Sequence, residues 1–302
     1  MTGVKVSASN CWEPRLVISE TFISSETETV HMAVNKTTPT RKRANAARRD
    51  GWGFLPIAAT PASLRPLKAA EGVARDIVDD IVRQGRKGGD SLPPEAAMLV
   101  HYGVSRETLR EGLRLLEVQG LISIRRGPGG GPIVGQVDPA NLGRISTLYY
   151  HLAGATYSEL FDAWIVADCA IADLAATNPE RDAVRETLRP YLQPDERDDE
   201  SLEDFVIRHG SFHTAVASLA RNRVLQLSLM SIGQIITHHV AVNADPRTAR
   251  PTIEHDHTEI AKAIIAGRRR RARETMEAHI TAITELYRTE LGPQMSDIIE
   301  WH

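Results

Sequence analysis

The chain is poor in the residues that announce several classes of chemistry. Of its 302 residues only two are cysteine, Cys11 and Cys169, far apart and in no CxxC pair. That argues against a disulfide scaffold and a thiolate zinc site, and fits a reducing cytoplasm. No run of 18 apolar residues occurs, so no membrane-spanning helix is expected. The first residues lack a long apolar stretch, which argues against a signal peptide. Excess charge is absent too: the net charge is −3, so any basic surface for a polyanion has to be local. What remains is an ordinary globular balance, 42% hydrophobic and 25% charged, at a length that suits two domains.

Residues 1–63 are rich in Ser, Thr, Asn and Pro, show no sustained periodicity, and read as a disordered extension. Within it, 36–49 carries Lys36, Arg41, Lys42, Arg43, Arg48 and Arg49 without an acid. This is either a solvated tail or a basic arm that could add phosphate contacts if the unit that follows binds nucleic acid. Met32 offers an alternative start of translation that would leave 1–31 outside the native protein; mass spectrometry of the native N-terminus decides this.

Residues 64–137 read as a compact unit. Val73, Ile77 and Ile81, with Val78 and Val82 beside them, recur at helical spacing until GGD (88–90) breaks the pattern. PPEAAMLVHYG is a short helix, with Pro94 in its first turn and Gly103 at its stop. Ser105 then caps a longer helix whose apolar stripe is Leu109, Leu113 and Leu116, with Leu115 adjacent; Gly120 ends it. LISIRR alternates like a strand, GPGGG is a tight turn, and PIVGQV returns. This order is that of a winged helix-turn-helix, in which the helix after the turn enters the major groove of DNA. Its outward face offers Arg106, Arg110 and Arg114 at i, i+4 spacing, and an arginine fork pairs with guanine or phosphate. Arg125 and Arg126 at the hairpin tip suit the sugar-phosphate backbone or minor groove. A merely solvated arginine face is the alternative, and the unit's balance of only +2 requires that binding depend on where the charge sits.

LPPEAAMLVHYGVSRETLREGLRLLEVQGLISIRRGPGGGPIV resembles the winged-helix domain of the GntR family of transcriptional regulators. The resemblance implies DNA contacts by Arg106 and Arg110, with Ser105 and Thr108 near phosphates and Gly129 and Gly130 near the minor groove. One departure is Ala96, where many relatives place an arginine after the Glu of LPxE; the family's usual operator preference need not hold.

Residues 138–302 read as an antiparallel helical bundle, so the chain as a whole is mostly α. The bundle holds His209 and His213 one helical turn apart, with His257 and His279 on later helices. A lone helix histidine is usually structural, whereas four in one domain suit a divalent metal, zinc or nickel above all. SFHTAVASLARN and HTEIAKAIIAGRRRRARETMEAHI resemble the C-terminal ligand-sensing FCD domain of the FadR-type branch of the same family. The resemblance matches His213, His257 and His279 to three ligand histidines and places His209 where relatives carry an acid. Four neutral imidazoles would leave the metal-bound site more positive and better able to hold an anionic effector; alternatively the change weakens metal binding and the pocket is organic. Relatives also carry an arginine four residues before an acid on the first bundle helix. Here those positions are Trp164 and Asp168, a candidate effector pocket, although Trp164 also reads as plain core. His238 and His239, adjacent in sequence, face different directions and are weaker candidates for the pocket; the run GRRRRARE (267–274) invites a nucleic-acid reading but reads better as a solvated charge run.

The expected function is that of a homodimeric, sequence-specific regulator of operator DNA, a repressor released by a small organic-acid effector, and not an enzyme. A metal-dependent hydrolase with a fused DNA-binding head is the alternative from another class, but no HExxH is present and four protein ligands close a tetrahedral site. A constitutive DNA-binding protein whose bundle only dimerises is a third option.

Overall fold

The computed structural model describes residues 68–127, 129–193, 200–239 and 245–301. The extension 1–63 and its basic segment lie outside the described residues. No helix among the described residues is long and apolar enough to cross a membrane.

The first core forms around α1 (Ala69–Arg83), α2 (Glu95–Tyr102) and α3 (Arg106–Val118). Gly103 takes a left-handed conformation, φ 62°, and so ends α2 and turns the chain into α3. Ser105 caps α3 by accepting from the Thr108 amide at 3.2 Å. Val73, Ile77, Met98, Leu109, Leu113 and Leu116 close into one core with Ile122 and Val134 of the wing. Leu115 and Val82, adjacent to the stripes, stay 37% and 73% exposed. The wing pairs β1 (Ile122–Arg125) antiparallel with β2 (Gly131–Val134), Ile122 opposite Val134. The segment after α1 adds an edge that the sequence had read only as a break. The Gly89 and Leu92 amides donate to the Val134 and Pro132 carbonyls, and Ser91 bridges Ile133. Leu109 is fully buried in this core. Leu109→Ala is expected to destabilise the head by about 2–5 kcal/mol, read as a lower denaturant midpoint; an unchanged midpoint contradicts this packing.

The second core belongs to seven helices among the described residues: α4 (Pro139–Ala153), α5 (Tyr157–Ala176), α6 (Arg181–Leu188), α7 (Leu202–Leu219), α8 (Arg223–His239), α9 (Arg250–Ile265) and α10 (Arg269–Leu291). Helix α5 packs against α7, α8, α9 and α10, which explains why apolar residues occupy most of its turns. Helix α4 lies along α8, and a Cβ at Gly143 would stand 3.2 Å from the Ser231 carbonyl, so a glycine admits the close approach. At the other edge of α4, Arg144 donates to the Val118 carbonyl at 2.9 Å, occupying an acceptor at the C-terminus of α3.

Candidate DNA-reading face and histidine cluster

On α3 the apolar stripe turns Leu109, Gly112, Leu113 and Leu116 inward. The opposite edge therefore faces water. Arg106, Arg110 and Arg114 are all exposed there. The first two converge on one carboxylate from α2: Arg106 Nε lies 3.1 Å from Glu95 Oε1, and Arg110 Nη2 lies 3.4 Å from Glu95 Oε2. Exposed ion pairs of this kind contribute little stability. Their effect is to hold two long side chains in register beside each other. At the wing, Gly127 and Gly129 have φ of 97° and 72°, and a Cβ at Gly130 would sit 2.2 Å from the Arg125 carbonyl. The tip therefore takes glycine for steric reasons. Arg125 donates to the Gly129 carbonyl at 3.1 Å and so braces the turn, while Arg126 is exposed.

Far along the chain, α7 brings His209 and His213 to one side, α9 brings His257 and α10 brings His279. One ring nitrogen from each lies within 4.8 Å of those of the other three. Both ring nitrogens of His209 and Nε2 of His213 are sealed from solvent without a hydrogen-bond partner. His257 Nε2 faces His279 Nε2 at 3.2 Å. Orphaned buried nitrogens are costly unless something else engages them. A tetrahedral ion with nitrogens at ~2.0–2.1 Å holds those nitrogens ~3.3 Å apart. The donor set thus fits a divalent transition metal in number, type and convergence.

The surroundings disfavour the charged form of three of these rings, His209, His257 and His279. Burial, reinforced by repulsion from the neighbouring imidazoles, holds His209 and His257 well below the usual histidine range. Burial also lowers His279, opposed by its hydrogen bond to Asp256. Below pH ~6.5 the unfolded chain takes up protons that the folded metal-free cluster refuses, so stability falls as pH falls. The metal-free protein is expected to melt at lower temperature at pH 5.5 than at pH 7.5, with a smaller decline in His257→Gln. An equal decline in both would contradict this.

Trp164 is buried on α5, its ring 6.1 Å from that of His213. Asp168, one turn further on, is fully buried and accepts from His213 Nδ1 at 3.2 Å. Asp256 accepts from His279 Nδ1 at 3.3 Å. Sequence reasoning missed Asp256, although its place directly before His257 was a usable signal. Of the remaining histidines, His239 is bonded to the Tyr157 hydroxyl at 3.0 Å and His238 is exposed; neither joins the four. In the arginine run, Arg269 pairs with Asp173 at 2.6 Å and Arg270 is 91% exposed.

A winged helix-turn-helix head with an exposed arginine edge is thus followed by a helical bundle with a buried histidine cluster that could hold a metal. Residues 69–130 match the family described as bacterial regulatory proteins, gntR family, and residues 159–282 match the FCD domain. Together the two matches span more than half of the chain, which belongs to the GntR family with a C-terminal FCD domain. The Glc operon transcriptional activator of Escherichia coli (strain K12) is 26% identical over 207 residues, covering 65% of this chain and 78% of that protein. The Uxu operon transcriptional regulator of the same strain is 28% identical over 164 residues, covering 53% and 61%. The Streptococcus agalactiae GntR structure shares the fold with a TM-score of 0.53 at 22% identity, covering 72% of this chain and 99% of that one. The chain is a DNA-binding transcriptional regulator whose FCD domain takes a small-molecule effector, and the comparisons lend nothing to the hydrolase alternative.

Proposed function

We propose that this regulator is a cytoplasmic homodimeric repressor, with a head over residues 64–137 and a sensing domain over 138–302. The observation that carries the reading is the exposed pair Arg106 and Arg110, held together by Glu95 at the open edge of α3. In this reading α3 lies in the major groove, Arg106 and Arg110 reach base edges, and Arg114 reaches the backbone. Ser105 and Thr108 meet phosphate at the N-terminus of α3, where the helix dipole favours an anion. Arg125, Arg126, Gly129 and Gly130 bring the wing to the neighbouring groove. A dimer supplies two such heads, and their spacing selects the half-sites.

His209, His213, His257 and His279 would hold a divalent metal, zinc or nickel, since four imidazoles favour these over manganese. Once bound, the metal supplies a positive centre for the carboxylate of an organic acid. Trp164 offers apolar surface on the α5 side, and Asp168 acts there through His213. The opening that reaches His279, lined by Ala249, Thr252, Ile253, Asp256, Ala282 and Ile283, has a volume of about 30 Å³. That admits a water or two and not an organic acid. In this reading an effector that reaches the cluster displaces the helices around it, and that displacement is what a bundle can pass to the heads. Helix α4, seated on α8 and bonded to the end of α3 through Arg144, is a physical route.

Repression follows if the dimer excludes polymerase from an overlapping promoter. The test is an electrophoretic shift with the DNA upstream of the protein's own gene, followed by transcription in vitro. A specific shift with reduced transcript supports repression, a specific shift with increased transcript makes the protein an activator, and no specific shift under any salt, metal or ligand condition contradicts the reading.

A further inference from the structure

The ligand set contains no carboxylate, and the sequence therefore pointed to a metal site with uncompensated positive charge. The structure places two carboxylates one bond further out. Asp168 comes from α5 and Asp256 from α9, and each faces the outer nitrogen, Nδ1, of a different histidine, at 3.2 Å on His213 and 3.3 Å on His279.

Each bond has a consequence for the nitrogen on the other side of the ring. A carboxylate accepts only from N–H, so it fixes the tautomer with the proton on Nδ1 and the lone pair on Nε2. Those are the atoms turned to the cluster: His213 Nε2 is the buried nitrogen without a partner, and His279 Nε2 faces His257 at 3.2 Å. Asp168 adds an independent observation. It is fully buried, its Oδ2 has no hydrogen-bond partner, and the His213 ring is the partner of its Oδ1. A carboxyl group with one oxygen sealed and unpartnered is costly in a closed interior. A divalent cation on the far side of the imidazole supplies the missing compensation. The nearby Glu200 and Glu254 do not have that role, because they engage Arg208 and, for Glu200, Arg250 at 3.3 Å.

We propose that Asp168 and Asp256 are positioning residues of the metal site: they orient His213 and His279 and supply, from outside the ligand set, the two negative charges that balance a divalent cation. The inference rests on the metal reading of the four histidines. The two outer carboxylates lie behind the His213 and His279 rings, so the ion itself remains the positive centre that an anionic effector would meet. The two residues are not equivalent. The Asp256 side chain is 23% exposed and lines the small opening, so water replaces part of what it does. Asp168 is sealed, and nothing replaces it.

The experiment uses the full-length chain without a histidine tag, stripped with chelator and titrated with zinc against a chromophoric competitor. Wild type, Asp168→Asn, Asp168→Ala and Asp256→Asn are compared, and cobalt is then bound to each to record its visible spectrum. Asparagine keeps an oxygen that accepts from His213 but removes the charge; alanine removes both. Loss of an outer partner weakens metal binding by roughly 10–100-fold. The expected order of loss is Asp168→Ala first, then Asp168→Asn, then Asp256→Asn, with an altered cobalt spectrum at Asp168. The metal-free Asp168→Asn protein is expected to melt no lower than wild type, since it loses an uncompensated buried charge; a carboxylate needed only for folding would give the reverse. If Asp168→Ala does not fold, the two asparagine variants decide. Wild-type protein that binds zinc with an affinity and cobalt spectrum indifferent to all three substitutions overturns this inference alone. Wild-type protein that binds no zinc, nickel or cobalt overturns the metal reading itself.

Discussion

Alanine at His213 or at His257 is expected to empty the metal site. Zinc held by four protein ligands is worth about 10–16 kcal/mol in small structural sites, so one ligand in four accounts for ~2.5–4 kcal/mol, or ~10²–10³-fold in affinity. Both residues are buried, and their rings come from different helices, α7 and α9, so either deletion opens a different side of the cluster. The same loss is visible in stability. Metal that binds only the folded chain stabilises it by RT ln(1 + [metal]/Kd), about 2.7 kcal/mol at a hundredfold excess over Kd. Zinc added to stripped wild-type protein is therefore expected to raise its melting temperature. In either alanine variant the same zinc concentration should raise it little. Metal content and a zinc-induced melting shift that both survive the two substitutions would make the cluster a packing feature.

Arg110→Ala is expected to cost about 1–3 kcal/mol of specific operator affinity if the side chain reads a base, which is ~5–150-fold. Arg106→Ala has the same direction. The double variant should fall short of the sum, because both guanidinium groups share Glu95 and each is repositioned when the other is removed. Affinity for unrelated DNA should change much less in these variants, since base contacts carry the sequence preference while phosphate contacts carry the rest. Equal loss on operator and unrelated DNA would place both arginines on the backbone instead.

Much of the head was legible because its signals are local. Ser105 before an apolar stripe, Gly103 in the left-handed position, and glycines flanking the wing tip each dictate backbone geometry without help from distant residues. The added edge at 89–92 was not legible. It exists through bonds to β2, some forty residues away, and its own composition says only that a helix stops. Helix α4 was missed in the same way: its glycine and mixed polarity blur the helical stripe, and they make sense only once α8 lies against Gly143. Asp138 followed by Pro139 was the available sign, an N-cap with proline in the first turn. At the site, the four histidines stood out by residue type and spacing. The role of Asp168 did not, because a pair 45 residues apart leaves no periodic trace.

The most direct test of the account is an anisotropy titration of labelled upstream DNA and a scrambled duplex of equal length, at fixed salt, with wild-type protein and the Arg106→Ala/Arg110→Ala double variant. The account predicts that wild type prefers the upstream duplex by at least the ~10³-fold common to specific regulators, and that the double variant loses most of that preference while still binding both duplexes weakly. A double variant that keeps the full preference would contradict it, for the sequence would then be read somewhere other than the exposed edge of α3.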